Sequence, residues 1–292
     1  MDAPHTERVA RGVRRLALRT PTLPPATRTN CYLVGERDFV VVEPASPWEP
    51  EQALLDAVIE ARLAEGHRVV AAVVTHHHRD HVGGAAALRA RHGAPILAHP
   101  YTRHRVVAEG LAVDGVIEPG AALPGPLVEL GVEAMHTPGH AAGHLCLWSP
   151  GDGWKIAGDM VASVGTIIVD PDDGGDMVDY LASLASMRAV SPGRLLPAHG
   201  DPIDDAVEKI DGYVRHREGR EEKVRAALTD AWREVGEVVS LAYDDTPRAL
   251  WPLATKSARA HLARLESRGL ARSAGEGATR RWSRADGTRD DG

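Results

Sequence analysis

Phenylalanine occurs once in this chain of 292 residues, and cysteine only twice. Cys31 and Cys146 each lie inside a strand-like run, NCYLVG and HLCLW. Two such cysteines supply neither a disulfide framework nor a thiolate zinc site, and they read as small buried hydrophobes. No apolar run approaches the roughly 20 residues of a membrane helix. The start, MDAPHTERVARGVRR, has charges but no apolar segment behind them, so it does not read as a secretory signal. Internal repeats and long low-complexity tracts are absent too. The expectation is a cytoplasmic protein with no membrane partner. Net charge is −7, with 43% hydrophobic and 26% charged residues, an ordinary globular mix. The length suits one or two domains with a sizeable core.

Histidine is what the chain has in excess. There are fifteen; four fall within residues 75–82 and three within 135–145.

The first half alternates strand-like and helix-like runs. Residues 9–18, 29–34 and 38–42 predict strands, and Pro47-Trp48-Glu49-Pro50 opens a helix with Leu54, Leu55, Val58, Ile59 and Leu63 at helical spacing. A strand over 68–74 runs into THHHRDHVGG. Helices over 84–92 and 102–109 flank a short strand at 95–98. A second series of strands is expected at 116–118, 127–135, 144–149 and 154–157, then a helix over 176–190 and a strand over 194–197 ending at Ala198-His199-Gly200. Two sheets packed face to face with helices outside accommodate this order. A long charged helical stretch over 205–235 follows. Then come 237–243, a helix over 251–268, and a hairpin through GEGAT, which is winged-helix order. The polar tail, 285–292, is expected to be disordered.

Charge divides the chain. Residues 1–221 carry 21 basic and 30 acidic side chains, and residues 222–292 carry 13 and 11. Within 248–284 nine bases face two acids, a net of +7. Clustered cations of this kind suit nucleic-acid phosphate, or simply a solvated helix face. We expect a domain of 1–221 and a second of 222–284.

His76-His77-His78-Arg79-Asp80-His81 carries the strongest chemical signal. In an extended segment residues two apart point the same way, so His76 and His78 can grip one metal ion. Where the chain turns, Asp80 and His81 swing toward a second. His140 in HTPGH, Asp159 in IAGD and His199 in PAHG stand at loop positions after strands, and a carboxylate such as Asp159 can bridge two ions. Imidazole and carboxylate suit zinc, manganese or iron.

THHHRDHVGG, HTPGHAAGH, AGD and PAHG resemble the metallo-β-lactamase superfamily. The resemblance implies an α/β fold, a four-layer αββα sandwich with the site at one edge of its two sheets, here followed by a C-terminal winged-helix domain. It implies that His76, His78 and His140 hold one metal, that Asp80, His81 and His199 hold the other, and that Asp159 bridges them. Asp159 speaks against β-lactamase activity, because lactamases of the superfamily carry a Cys or a non-bridging residue there. His78, where the iron flavoproteins of the fold carry Glu, speaks against that branch. TNCYLVG, the DYLASL stretch, PAHGDPI and YVRHREGREEKV resemble the lactamase-β-like group of single-stranded-RNA endonucleases and their bacterial relatives. One departure is Glu43, where the family commonly has Asp; the position supports the metal loop, so the change alters hydrogen bonds behind a ligand.

These features predict a hydrolase with two divalent ions, zinc by default. Asp80 and Asp159 are its catalytic carboxylates, and a metal-bridging hydroxide is its nucleophile. Its first-choice substrate is single-stranded RNA. The alternative is a small ester or thioester, and a third reading is a metal-dependent DNA-binding regulator. Arg79 and Tyr180 are expected near substrate. His77 is expected to point away from the metals, and His136 and His144 to be chiefly structural.

Overall fold

The computed structural model describes residues 6–285. A seven-stranded sheet runs in chain order: β1 (Glu7–Ala10), β2 (Val13–Arg19), β3 (Arg28–Val34), β4 (Phe39–Val42), β5 (Val69–Val73), β6 (Ile96–Ala98) and β7 (Gly115–Val116). Its first four strands are antiparallel neighbours, and β4 to β7 are parallel. The connections carry α1 (Glu49–Ala64), α2 (Arg79–Val82), α3 (Ala85–His92) and α4 (Pro100–Ala108), and α5 (Gly125–Glu129) leads to the second sheet. That sheet, ordered β11-β10-β9-β8, comprises β8 (Glu133–His136), β9 (Leu145–Ser149), β10 (Trp154–Gly158) and β11 (Arg194–Pro197). Helices α6 (Met177–Ala189) and α7 (Ala206–Ala226) cover it.

Side-chain alternation builds the layers. On β3 and β4, Cys31, Leu33, Phe39 and Val41 pack beneath α1 and α3, while Tyr32, Val34, Val40 and Val42 face the second sheet. From that sheet Leu145, Leu147, Trp154 and Ile156 meet them, and Cys146 and Ala157 point outward to Tyr180, Leu184 and Met187 of α6. Both faces of these strands are buried, which explains uninterrupted runs such as FVVV. The layer order is αββα, as expected.

Three expected elements differ. Residues 9–18 are two strands, because the chain turns at Arg11-Gly12. The strand expected over 127–135 is a helical turn followed by β8. Pro126 sits in the first turn of that helix, and Gly131, at φ +61°, takes a left-handed conformation that breaks an extended run. The helix expected to reach 235 stops at Ala226 and gives way to β12 (Arg233–Glu234). The division at 221/222 therefore falls inside α7. From residue 286 onward the polar tail lies outside the described residues.

Beyond α7 come α8 (Val235–Ala242), α9 (Trp251–Ser267) and the strands β13 (Ala271–Ala274) and β14 (Arg281–Arg284), with sheet order β12-β14-β13. Trp282, Leu262, Leu265, Val238 and Val224 share one core, so the end of α7 belongs to this winged helix. The longest helix of the module, α9, lies against the first part of the chain. Ala260 enters the core of the α6–α7 layer, Lys256 Nζ stands 2.6 Å from Asp170 Oδ2, and Arg259 pairs with Asp172. Arg264 and Arg268 pair with Glu221 of α7, and Arg280 pairs with Glu266. Much of the net positive charge of 248–284 is thus engaged within the molecule.

Candidate metal centre

Four strands deliver the site at their C-terminal ends. β5 runs into His76–His81, β8 into the loop bearing His140, β10 into Asp159, and β11 into His199. The seven residues fall into two groups whose candidate ligand atoms lie within 4.8 Å of one another: His76, His78, His140 and Asp159, and Asp80, His81 and His199.

In the first group His76 Nε2 and His140 Nε2 each stand 2.9 Å from His78 Nδ1, and 3.2 Å from each other. Their outer nitrogens have other work. His140 Nδ1 donates to the Ile168 carbonyl at 2.7 Å, and His78 Nε2 donates to Asp173 Oδ2 at 2.9 Å. The remaining nitrogens, His140 Nε2 and His78 Nδ1, then face each other at 2.9 Å, as two imidazoles turned toward one cation do. Tetrahedral ligands about 2.1 Å from an ion stand roughly 3.4 Å apart, close to the spacing seen. Burial and the neighbouring imidazoles push the His76 and His140 pKa values down, His140 to about 3, so both rings are neutral donors near pH 7.

The second group has the same logic. Oε2 of Glu43 accepts from His81 Nδ1 at 2.7 Å, which leaves His81 Nε2 buried without a hydrogen-bond partner. That atom stands 3.7 Å from Asp80 Oδ2 and 3.6 Å from Asp159 Oδ2. His199 Nδ1 donates to the Arg28 carbonyl at 3.0 Å, and its Nε2 lies 3.3 Å from Asp159 Oδ1 and 3.5 Å from Asp80 Oδ2. Asp159 also reaches His140 Nε2 at 3.5 Å through Oδ2, so it stands between the groups. Burial alone would lower the His81 pKa, but the carboxylates of Glu43, Asp80 and Asp159 raise it well above the usual range. This half of the site is short of positive charge. The donor set and its orphaned atoms fit two divalent ions.

Supporting contacts explain several other residues. His144, fully buried, accepts from the Asp159 backbone N–H at 3.0 Å through Nε2, and its Nδ1 lies 2.8 Å from Thr137 Oγ1. Gly158, at φ +48°, permits that contact, since a Cβ there would sit 2.4 Å from His144 Nε2. Glu43 also accepts from the Thr75 N–H at 2.9 Å, tying the head of the histidine run to β4. His77 Nε2 is 3.2 Å from Asp173 Oδ1, and Arg105 donates to the same carboxylate. His136 stacks on His99 with centroids 4.0 Å apart, outside the two groups.

Of the two residues expected near substrate, Arg79 is exposed and lines the cavity above the site. Tyr180 is a correction. It is fully buried beneath α6, and its hydroxyl donates to the Met160 carbonyl at 2.7 Å, so no substrate can touch it. Asp173 was missed. It sits in an acid-rich turn, DPDDGGD, which reads like any solvated loop.

The cavity has a volume of about 600 Å³. Its floor includes His78, Asp80, His140, Asp159 and His199. One wall is the 21–26 loop, another is 164–168, and a third comes from the winged helix through Leu250, Leu253, Ala254 and Ser257. Leu23, Val164 and Leu250 stay 50%, 40% and 44% exposed at this wall, so its apolar lining reaches solvent.

An αββα sandwich with two histidine–carboxylate groups at its strand ends is the scaffold of a metal-dependent hydrolase. The chain belongs to the metallo-beta-lactamase superfamily, whose model matches residues 24–199; residues 235–282 match the beta-lactamase associated winged helix domain. It is 27% identical over 279 residues to the Beta-lactamase-like protein 2 homolog of Drosophila melanogaster, covering 92% of each chain. It is 29% identical over 242 residues to the Lactamase-like protein vrtG of Penicillium aethiopicum, covering 82% of this chain and 73% of that one. Among solved structures, a Beta-lactamase domain protein from Burkholderia ambifaria superposes with a TM-score of 0.79 at 22% identity, over 97% of this chain and 94% of that one. A metallo-beta-lactamase family protein from Thermus thermophilus superposes with a TM-score of 0.75 at 21% identity, over 95% of this chain and 100% of that one. No helix among the described residues is long and apolar enough to cross a membrane.

Proposed function

We propose that the protein hydrolyses an ester or thioester of a small molecule with an apolar body, using two divalent ions, zinc by default. The observation that carries this reading is the cavity over the candidate ligands. Its volume of about 600 Å³ is that of a small-molecule pocket, and its walls are Leu23, Pro24, Val164, Ile167, Leu250 and Leu253. Single-stranded RNA, the first choice from sequence, calls for a cationic groove that tracks phosphates and for aromatic platforms that stack bases. Lys256 and Arg259 of α9 instead hold Asp170 and Asp172, which leaves less support for a polyanion or for a DNA-binding regulator.

In this reading His76, His78 and His140 hold one ion and Asp80, His81 and His199 the other, with Asp159 shared. Bound ions of this kind supply a water deprotonated near neutral pH and polarise a carbonyl oxygen. The protein's own contribution is positional. Glu43, Asp173 and the carbonyls of Ile168 and Arg28 fix the ligand rings from behind, and His144 fixes the backbone of Asp159. Asp80 and Asp159 are the carboxylates closest to the reacting centre. The winged helix acts as a wall of the active site and excludes water from an apolar substrate. A cytoplasmic setting belongs to the same reading, supported by two buried unpaired thiols, Cys31 and Cys146.

The test is a chain-length series of acyl thioesters with the zinc-loaded protein. Turnover that rises with acyl length and is lost in Asp159→Asn supports the reading. No turnover at full metal occupancy, across the series, contradicts it.

A further inference from the structure

Arg217, on α7, lines the same cavity and is only 3% exposed. One of its nitrogens donates to the Ile167 carbonyl at 2.5 Å, and its guanidinium lies 5.2 Å over the Tyr180 ring. Its Nε is buried with no hydrogen-bond partner. No carboxylate among the described residues is within ion-pair distance of it. Neighbouring acids are already engaged: Glu221, one turn along α7, pairs with Arg264 and Arg268, Asp170 pairs with Lys256, and Asp173 with His77, His78 and Arg105. Burial raises the Tyr180 phenol above its usual range, so it stays neutral and does not balance the charge.

A buried guanidinium without an anion is costly, and a tie to one backbone carbonyl does not require a full positive charge. Its place explains the cost. Ile167 holds Arg217, and the next residue, Ile168, holds the candidate ligand His140. Ile167 and Ile168 are adjacent in the chain, so the segment that anchors the cation also anchors a candidate ligand of the metal centre. We propose that Arg217 is a binding residue for an anionic group, a carboxylate or a phosphate, on the substrate whose other end reaches the metal centre. The substrate is then an apolar molecule with a negative charge set apart from its scissile bond. Guanidinium is suited to this task, because it stays charged when buried and offers paired donors to either anion.

This inference rests on the hydrolase reading only for what happens at the metal end, so the test reads binding. A graded series of α,ω-dicarboxylates, matched monocarboxylates and matched ω-phosphonocarboxylates is titrated calorimetrically into the zinc-loaded full chain. At one chain length the second anion is expected to tighten binding by about tenfold or more. The better of the carboxylate and phosphonate arms identifies the anion. Arg217→Met should abolish the gain and keep its melting temperature, since losing an uncompensated buried charge offsets the lost bond to Ile167. Arg217→Lys, which keeps charge but not the planar fork, should retain part of it and decides the matter if the methionine variant does not fold. No gain at any length, or an undiminished gain in both variants, overturns the proposal. If thioesters are not turned over yet the Arg217-dependent gain persists, only the reaction reading falls.

Discussion

Glu43 and His81 are both fully buried, and Glu43 Oε2 accepts from His81 Nδ1 at 2.7 Å. This contact keeps a proton on His81 Nδ1, so Nε2 is the nitrogen turned toward the candidate ion site. The other oxygen of Glu43 accepts from the Thr75 N–H at 2.9 Å, so one carboxylate aligns both the start and the end of the histidine run. Glu43 does so from a backbone φ of +61°, a conformation unusual for a residue with a side chain.

Replacing Glu43 by Gln should therefore weaken metal binding without unfolding the sandwich. An amide can present only one acceptor oxygen, so one of the two contacts is lost. We expect metal affinity to fall by roughly 10–100-fold, measured by competition with a chromophoric chelator. Unchanged affinity would mean that His81 is oriented by other contacts.

Removing one ligand should separate the two groups. His199 belongs to the second group, beside Asp80, and reaches the first only through Asp159, which stands between the two. His199→Ala is expected to bind one zinc ion per chain where the native protein binds two, as counted by elemental analysis after dialysis. Loss of both ions would show that the groups do not fill independently.

The winged helix closes the cavity through Leu253. Leu253→Trp should leave short acyl thioesters nearly unaffected and lower kcat/KM for long ones by roughly 10–100-fold, because added bulk removes room for a few methylenes. A uniform loss across the series would place Leu253 outside the acyl path.

A buried ionic joint links α7 to α9. The carboxylate of Glu221 accepts from Arg268 Nη1 at 2.8 Å and also binds Arg264. Burial alone would raise its pKa, but His261 and Arg264 hold it below the usual range. A carboxylate with a depressed folded pKa stabilises the fold above its unfolded value, near about 4.3, and loses that contribution as pH falls through the folded value. Glu221→Gln should cost about 1–3 kcal/mol at pH 7, with the gap to the native protein narrowing below about pH 4 in urea unfolding. A gap independent of pH would mean that the ionised form does not matter.

The αββα layering was legible because both sheets are buried on two sides and their strands read as apolar runs. The seven candidate ligands were legible because each follows a strand, so local order alone put them at one edge. Asp173 and Arg217 were not, since their partners are His77 and His78 in one case and Ile167 in the other, far away in sequence. Tyr180 misled for the same reason: its neighbourhood in the chain is near the site, but α6 turns its ring into the core. The positive charge of 248–284 pointed to phosphate, yet charge in a sequence does not reveal which cations already have partners, and Lys256 and Arg259 find theirs in the 170–172 turn.

A paired assay tests the nature of the substrate most directly. Zinc-loaded protein and its Asp80→Ala variant are given a medium-chain acyl thioester and, separately, a labelled unstructured RNA. Thioester hydrolysis by the native protein, none by the variant, and intact RNA throughout are the expected result. RNA cleavage that depends on Asp80, with the thioester untouched at two ions per chain, would contradict it.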